Sequence, residues 1–549
     1  MFEDVDLTGI QDERARQLIS RLLNLLEDVT ADLRDAQAEI QRLRDENNRL
    51  KGEQGKPTIP SNLPQSPPAD HSSERERRKP RTWSKGRKNA TIHIDREQVL
   101  EVNAAILPPD AEFKGYEEVV VQDVVFRTDN IRFLKAKYYA PSTGKTYLAT
   151  LPRGYEGQFG PGLKALTLVL YSGGQMSEPK LLELFGSVGV QISAGQLSNL
   201  LIKDQEVFHA EKDAVYTAGL QSSPWQHLDE TGTRVNGQNH HCHIVCNPLY
   251  TAYHTTPSKD RLSVLDVLRH GQPRTFRCNA EALGYLEQVG LSAATRDTLT
   301  RLPGAQEVDE ASLRQWLDAH LPRLGPQQRK WILDATAVAA YHAQVGFPVV
   351  RLLVCDDAPQ FNWVTAELAL CWVHEGRHYK KLTPYVPHHR KLLDEFLGCF
   401  WAFYDELLIY RQQPAAAERV RLAAAFDMLF STVTGYQALD ERIAKTQAKA
   451  ACLLRVLEHP EIPLHNNPAE LGARMRVRKR DVSFGPRTAA GTQAWDTFMT
   501  LAATAKKLGV SFYHYIHDRV SGANQMPGLA NLIEAQAKNL NLGASWNTS

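Results

Sequence analysis

Three acidic residues stand where secondary-structure elements are expected to begin or end. Asp229 lies on a predicted strand that runs into an Asn-Gly turn, and Glu470 lies at the start of a predicted helix. Asp356 directly follows an apolar run over residues 349–355. Carboxylate oxygens are the ligands that a hard cation such as Mg²⁺ prefers, and two such ions roughly 3.5–4 Å apart support in-line displacement at phosphorus. Taken alone, each acid is more typical of a surface charge or a helix cap than of a metal ligand, so the interpretation depends on the order and context of the three.

Neighbouring residues extend this hypothesis. Asp357 follows Asp356 directly and competes with it as a metal ligand, and the sequence leaves that choice open. The predicted helix that carries Glu470 continues into a dense basic stretch, which would hold the phosphates that flank a reacting bond. Its basic residues are Arg476, Arg478, Lys479 and Arg480.

Apolar runs place the acids in an α/β domain. Segments 225–237, 239–246 and 249–254 are typical of a three-stranded meander joined by tight turns. The run 349–355 is almost wholly apolar, which is typical of a strand buried in parallel pairing. Carboxylates at the ends of such strands face a shared crevice. We therefore expect Asp229 and Asp356 to lie close together.

An unbroken heptad of apolar residues runs through the N-terminal 50 residues. Its a positions are Ile19, Leu26, Leu33, Ile40 and Asn47, and its d positions are Leu22, Val29, Ala36, Leu43 and Leu50. A single polar a residue often fixes register and dimer state. The pattern predicts a coiled-coil dimerisation helix over residues 1–52, and thus a homodimer or higher oligomer. The alternative is a long amphipathic helix folded back on its own chain.

Residues 53–90 are rich in Pro, Ser and charge, and end in a basic run that contains Arg78, Lys79 and Arg81. This composition predicts a flexible, basic linker. The run would neutralise DNA phosphates, although like-charge runs in linkers are often only solvated.

Two modules are expected between the linker and the first acid. Residues 91–152 predict a small β-rich module, because strand-like stretches alternate with Gly and Pro. These stretches include 118–126 and 133–139. Residues 153–220 are helical, and two short helices begin there at the N-cap residues Ser177 and Ser193. They fit a DNA-binding helix-turn-helix, although helix pairs that only pack together are more common.

Length and composition limit the class of protein. The 549 residues exceed what one compact core usually holds, so several domains are expected. The net charge is +1, so overall charge does not indicate nucleic-acid binding. Seven cysteines without a CxxC pair favour a reducing, cytoplasmic setting. No apolar run is long enough for a membrane helix, so a soluble protein is expected.

Five potential metal ligands cluster on the predicted strand 239–246. They are His240, His241, Cys242, His243 and Cys246. Zinc sites usually take ligands from two spaced pairs, and successive strand residues point to opposite faces. Satisfied strand residues are therefore the better interpretation.

In order and context, these motifs resemble the DDE transposases of the insertion sequence 66 family. The resemblance covers about residues 155–520. The motifs that carry it are Gln158-Phe159-Gly160-Pro161 before a helix, Ile192-Ser193 at a helix start, Asp229-Glu230-Thr231 with Arg234-Val235-Asn236-Gly237, Asp356 at a strand end, Cys371-Trp372-x-His374-x-x-Arg377, and Asn466-Asn467-x-x-Glu470-x-x-x-Arg474 followed by Arg478-Lys479.

The resemblance implies that Asp229, Asp356 and Glu470 form a catalytic, metal-binding triad. The implied cofactor is Mg²⁺, with two ions bound and Mn²⁺ able to substitute. The implied activity is cleavage at the ends of a mobile element, followed by transfer of the freed 3′-hydroxyl into target DNA. Expected partners are these DNAs, a second copy of the chain, and helper proteins from the same element. A cytoplasmic, nucleoid-associated location in a bacterium follows.

The implied fold class is α/β, with an RNase H-like catalytic domain over residues 221–520. Helical insertions are expected at about 279–345 and 388–457, because the acids are far apart in the sequence. A C-terminal tail is expected over 521–549. Many relatives carry a four-cysteine zinc module before the catalytic domain, but residues 91–151 contain no cysteine. Zinc is therefore not expected there.

Two other functions compete with this prediction. One is a transposase-derived DNA-binding protein without catalytic activity, which the intact set of three acids disfavours. The other is a coiled-coil scaffold with a folded C-terminal body. Metal-dependent DNA cleavage would exclude both.

Overall fold

The computed structural model of the chain describes residues 10–50, 92–103, 107–108, 111–302, 307–540 and 542. The predicted basic linker, with Arg78, Lys79 and Arg81, lies outside these residues. Among the helices within these ranges, none is long and apolar enough to cross a membrane.

The N-terminal helix α1 (Glu13–Leu50) packs on the rest of the chain through one side. Leu23 and Glu27 are buried on that side. The Glu27 carboxylate accepts hydrogen bonds from the Val386 backbone N–H at 2.9 Å and the His389 ring at 3.0 Å. Most heptad positions face away from this contact, and the exposed ones include Leu22, Leu26, Val29, Leu33, Ile40 and Leu43. The described part of the chain thus leaves the heptad seam uncovered.

The segment between residues 111 and 150 has little regular secondary structure. Its regular structure is one antiparallel hairpin of β1 (Lys137–Ala140) and β2 (Lys145–Leu148). The strand predicted over 118–126 is not formed, because no neighbouring strand pairs with it among the described residues. Apolar side chains there, such as Val121 and Val125, remain exposed. The predicted β-rich structure is corrected here to a single exposed hairpin.

Four helices precede the central sheet. They are α2 (Pro161–Ser172), α3 (Glu178–Ser187), α4 (Ala194–Ile202) and α5 (Glu206–Gln221). Helix α4 opens with a capping box in which the Ser193 hydroxyl accepts the Gln196 N–H. Helices α3 and α4 pack against each other and against α2. The order of α3 and α4 along the chain is that of a helix-turn-helix. Their contacts with each other and with α2 also fit the alternative, a pair of helices that only pack together.

A five-stranded sheet forms the centre of the protein. Its strands are β3 (Trp225–Val235), β4 (Gln238–Cys246), β5 (Thr251–Thr256), β6 (Leu352–Cys355) and β7 (Glu367–Leu370). Their spatial order is β5-β4-β3-β6-β7, and β4 runs antiparallel to β3 and β5, while β6 is parallel to β3 and β7. Asn236 and Gly237 join β3 to β4 with φ values of 49° and 76°, as a tight hairpin turn requires.

Helices interrupt the sheet connections at two places. Between β5 and β6 lie α6 (Arg261–Leu268), α7 (Ala280–Gln288), α8 (Ala293–Leu299), α9 (Glu310–His320) and α10 (Pro326–His342). After β7 come α11 (Trp372–Lys380), α12 (Pro387–Gln412), α13 (Ala416–Phe430), α14 (Gln437–Gln447) and α15 (Ala450–Leu453). Helices α7 to α10 and α12 to α15 occupy the intervals in which insertions are expected.

The C-terminal part is helical. It consists of α16 (Asn467–Ser483), α17 (Ala489–Lys507), α18 (Phe512–Val520) and α19 (Leu529–Ala537). Helix α16 packs across β3 and β4, and α17 packs on β5. Helix α19 packs on α5 and buries Leu529 and Ile533 completely. The segment expected as a tail is therefore partly folded onto the body.

The sheet separates two apolar layers. Alternate residues of β6 face opposite sides, as strand geometry requires, so Leu353 joins the cluster formed with α2 to α10 and α17 to α19. Val354 joins the aromatic-rich cluster formed with α11 to α15. On that second side, Ile244 and Tyr253 pack against α16. Both faces are covered, which explains the continuous apolar run of β6.

Candidate active site

Strand pairing brings Asp229 and Asp356 to neighbouring positions. Strands β3 and β6 run parallel with His227 opposite Val354, and each acid lies two residues further along its chain. Asp356 follows the last residue of β6 directly, and its Oδ1 accepts the Ala358 backbone N–H at 3.2 Å. Both acids are half-buried. Asp229 and Asp356 therefore meet in the crevice that was expected at the ends of these strands.

Glu470 reaches the same crevice from the first turn of α16. Buried Asn466, just before the helix, donates its Nδ2 to the Leu228 carbonyl at 2.7 Å and accepts the His227 Nδ1–H at 2.9 Å. These two bonds hold the start of α16 on the strand residues that immediately precede Asp229. The hydrogen bonds of Asn466 thus fix the position of Glu470 relative to β3.

Gly472 lets α16 approach the sheet closely. A Cβ at this position would lie 2.7 Å from Ile244 Cγ2, closer than real Cβ contacts allow. The glycine is two residues from Glu470, so any larger side chain would lift the acid away from the crevice.

The pKa of Asp229 shows that the three acids are close enough to interact electrostatically. The pKa of Asp229 is raised to about 7, mainly by burial and also by the negative charges of Asp356, Glu470 and Glu230, while the hydrogen bond from the Glu230 N–H lowers it. The three carboxyl groups do not each bring an oxygen within 4.8 Å of the other two. The three acids are thus further apart than the ligand atoms of one shared ion.

Arg377 of α11 holds Glu470 through both carboxylate oxygens. Its Nη1 and Nη2 donate to Oε1 at 3.0 Å and Oε2 at 2.9 Å. Such a fork fixes the plane of a carboxylate as well as its position. The pairing raises the pKa of Arg377. Arg377 appears in the family motif, but the sequence does not indicate that it pairs with the third acid.

Cys371 joins the starts of two helices. Its Sγ accepts the His374 N–H at 3.3 Å, which caps α11, and the Asn466 N–H at 3.2 Å, which lies just before α16. Burial raises the pKa of this thiol to about 11, so it stays protonated at neutral pH. These contacts make Cys371 part of the packing between the two helices and place it next to Asn466, which positions the start of α16.

Asp357 belongs to a different environment from Asp356. Lys449 donates to its Oδ2, and the pairing holds the pKa of Asp357 below its ordinary value despite burial. Asp357 is not among the groups that raise the pKa of Asp229. The geometry favours Asp356 as the member of the triad.

Two residues of the predicted phosphate-binding stretch are buried and serve structural roles. Arg476 is fully buried, with Nη1 3.2 Å from Asp496 Oδ1 and its guanidinium 4.9 Å from the Trp495 ring centroid. Lys479 donates Nζ to the Tyr171 carbonyl at 2.7 Å, and burial lowers its pKa to about 7. Neither side chain is available to DNA, so this part of the prediction is corrected.

The remaining basic residues of α16 keep some exposure. Arg474 and Arg478 are exposed, and Arg480 is half-buried and donates to the Gly232 carbonyl at 2.5 Å. Arg474 also lies beside Glu470, with Nη2 3.8 Å from Oε2. Arg478 and Arg480 thus remain candidates for phosphate contact. Arg78, Lys79 and Arg81 lie outside the described residues.

A groove of about 1200 Å³ opens beside Glu470. Its wall includes the cationic side chains of Arg377, Lys380 and Arg474, together with the apolar Trp401 and Met475. Cations that alternate with apolar surface suit the phosphates and the sugar and base faces of a nucleic-acid strand.

The His and Cys residues of β4 behave as strand residues. Burial raises the pKa of the Cys242 thiol to about 12 and lowers that of His243 to about 4, and His243 Nε2 lies 2.9 Å from Thr256 Oγ1. Among the described residues, no three potential ligands of this strand gather at metal-binding distances. The zinc interpretation gains no support.

Comparison with known proteins gives two matches. A family model described as "Transposase IS66 family" matches residues 336–494, a range that contains Asp356 and Glu470. The protein y4jO of Sinorhizobium fredii, which is named as uncharacterized, is 32% identical over 324 residues, covering 58% of this chain and 99% of that protein. No solved structure matches the chain.

Proposed function

The chain belongs to the IS66 family of transposases, and we propose that it cleaves the ends of a mobile element and joins them to target DNA. Asp229, Asp356 and Glu470 are the proposed catalytic triad. The observation that carries this proposal is the half-buried Asp229 carboxyl, whose pKa is raised to about 7 beside two further acids. A divalent cation bound between these carboxylates would offset the repulsion that helps to raise this pKa.

The donor set fits divalent ions of the hard class. All three proposed ligands are carboxylates, which suit Mg²⁺ and Mn²⁺ better than softer metals. When bound, two such ions would activate the attacking oxygen and stabilise the leaving oxygen of a phosphodiester. Asp229 and Asp356 would hold them from the sheet, and Glu470 from the helix.

Other side chains of the crevice position these acids and the DNA. Arg377 fixes the orientation of Glu470, and Asn466 fixes the start of α16 on β3. Lys380 and Arg474 line the groove beside Glu470 and would bind backbone phosphates of the strand that enters it. Arg478 and Arg480 would extend this contact along α16.

We also propose that the catalytic domain is RNase H-like. Support comes from the sheet order β5-β4-β3-β6-β7, in which β4 alone runs against the other strands, and from acids on adjacent parallel strands. Helices α7 to α10 and α12 to α15 are then insertions in this core. A cytoplasmic, nucleoid-associated setting and helper proteins belong to the same proposal.

The test is cleavage and joining of DNA that carries the ends of the element. The wild-type chain should cut and join in Mg²⁺ or Mn²⁺ and be inactive in EDTA, and Glu470→Gln should bind the DNA without cutting it. The matched control is Glu395→Gln, which makes the same change at an exposed acid of α12 and should leave cleavage unchanged. DNA binding by the wild type without cleavage under any of these conditions would favour the inactive, DNA-binding alternative.

A further inference from the structure

Asp357, His374 and His378 form a second cluster of ligand-type side chains, here named the Asp357 cluster. His374 and His378 are four residues apart on α11 and therefore lie on the same side of that helix. Asp357 approaches them from the loop after β6. One potential ligand atom from each residue lies within 4.8 Å of the other two.

The three groups face each other without hydrogen bonding. His374 Nε2 is 3.5 Å from Asp357 Oδ1, and His378 Nε2 is 3.6 Å from Oδ2. Both distances exceed the 2.7–3.2 Å of a normal N–H···O bond. His378 Nε2 is also buried and has no hydrogen-bond partner. A buried imidazole nitrogen that points at a carboxylate from beyond bonding distance leaves a gap that another group can fill.

The dimensions of this gap fit a metal ion. Ligand atoms about 2.0–2.1 Å from a tetrahedral ion are roughly 3.4 Å apart. The two measured separations are close to that value. Two imidazoles with one carboxylate are typical of borderline transition ions, whereas Mg²⁺ prefers oxygen alone.

We propose that Asp357, His374 and His378 bind one divalent transition ion, of the Zn²⁺ class, separate from the ions of the catalytic acids. The ion would tie the loop after β6 to α11. Asp356 directly precedes Asp357 in the sequence, and Arg377 lies between His374 and His378. The bound ion would therefore help to fix the positions of Asp356 and Arg377 in the active site. The site requires no DNA and no catalytic step.

Lys449 sets the strength of this site. It donates to Asp357 Oδ2 and, at 3.1 Å, to Glu375 Oε2, and Glu375 is held in turn by Arg442 and Thr446. The lysine orients the carboxylate, but its positive charge opposes a second cation beside it. Removing that charge should therefore tighten metal binding.

The experiment is a titration of the full chain with Co²⁺, which reports tetrahedral coordination through its visible absorption. Asp229→Asn combined with Glu470→Gln removes the catalytic acids as competing ligands and serves as the starting protein. We expect one equivalent of tetrahedral Co²⁺, displaced by Zn²⁺ but not by Mg²⁺. His374→Gln or His378→Gln should each weaken binding at least about tenfold, and Lys449→Met should strengthen it.

The matched control is His514→Gln, which removes an exposed histidine of α18. It should leave Co²⁺ affinity unchanged, and the metal-free melting temperatures of the His374→Gln, His378→Gln and His514→Gln variants should agree with that of the starting protein. Absence of a tetrahedral spectrum, equal binding by the His378→Gln protein, or displacement by Mg²⁺ would overturn the proposal. Because the starting protein cannot cleave DNA, none of these results depends on transposase activity.

Discussion

At the scale of single residues, the surroundings of Asp229 disfavour the ionised form of its carboxyl group. Burial and the neighbouring Asp356, Glu470 and Glu230 all raise its pKa, to about 7. A folded-state pKa above the unfolded value means that the folded chain binds the proton more tightly. Ionised Asp229 therefore destabilises the metal-free fold. This cost is complete above about pH 7 and declines progressively as the pH falls from 7 toward the ordinary Asp pKa of 3.8.

The raised pKa of Asp229 predicts how a substitution there changes stability. In EDTA at pH 8, Asp229→Asn should raise the melting temperature by a few degrees, because the amide removes the unfavourable charge. The gain should shrink as the pH is lowered from 8 to 5, where the wild-type carboxyl becomes protonated. Thermal melts across this range measure it. A melting temperature that falls on substitution at pH 8 would contradict the account of Asp229.

The same titration predicts competition between protons and metal. Asp229 must be ionised to hold a cation, so Mn²⁺ affinity at the catalytic acids should fall about tenfold between pH 8 and pH 6. Mn²⁺ paramagnetic resonance on the His378→Gln chain would measure this site without the Asp357 cluster. Affinity that stays constant over this pH range would show that Asp229 is not a ligand.

At the scale of elements, helix α16 carries Glu470 and also packs against the elements around the site. Its buried residues repeat at helical spacing, and they are Ala469, Gly472, Ala473, Arg476 and Lys479. The same spacing is present in the sequence, but the basic character of Arg476 and Lys479 suggested solvent and phosphate instead. Their burial depends on partners distant in sequence, Asp496, Trp495 and Tyr171, which no local pattern specifies.

The sequence predicted the elements that carry the acids better than the modules around them. The meander and the buried parallel strand follow from turn residues and apolar periodicity, so the meeting of Asp229 and Asp356 could be expected. The strand predicted over 118–126 failed because β-forming residues need a partner strand. The Arg377 pairing and the Lys449 contact with Asp357 join residues 93 and 92 positions apart, and their partners emerge only on folding.

The anchor of α16 gives a prediction at the same scale. Asn466→Ala should lower the free energy of unfolding by about 1–3 kcal/mol, because it leaves the Leu228 carbonyl and the His227 ring without their partner. Asn467→Ala is the matched control, since Asn467 is only half-buried, and it should change stability far less. Urea denaturation measures both. Equal effects of the two substitutions would mean that Asn466 does not anchor the helix.

At the scale of the whole molecule, α1 has two different faces. One face contacts its own chain through Leu23 and Glu27, and Asn24 accepts the Gln437 N–H at 3.0 Å. The other carries the heptad seam, where Leu33 is 57% and Ile40 48% exposed. The helix thus packs on its own chain, as one interpretation of the sequence holds, and its exposed seam leaves the other, a coiled coil with a second copy, as a prediction.

The oligomeric state tests for that second copy. The wild-type chain should sediment as a dimer, at about twice its 61.6 kDa mass, and Leu33→Glu with Ile40→Glu should make it monomeric. Ala38→Glu places the same charge off the seam and should leave the dimer intact. Sedimentation velocity distinguishes these masses. A monomeric wild type, or a dimer that survives both seam substitutions, would exclude the coiled coil.

The measurement that tests the central claim most directly compares two adjacent acids in one cleavage assay. With Mg²⁺ and DNA carrying the element's ends, Asp356→Asn should reduce strand cleavage roughly a thousandfold or more. Asp357→Asn should retain cleavage within about tenfold of the wild type, because its carboxylate faces Lys449 and the histidines rather than Asp229. The opposite order, or full activity of both variants, would contradict the assignment of Asp229, Asp356 and Glu470 as the catalytic triad.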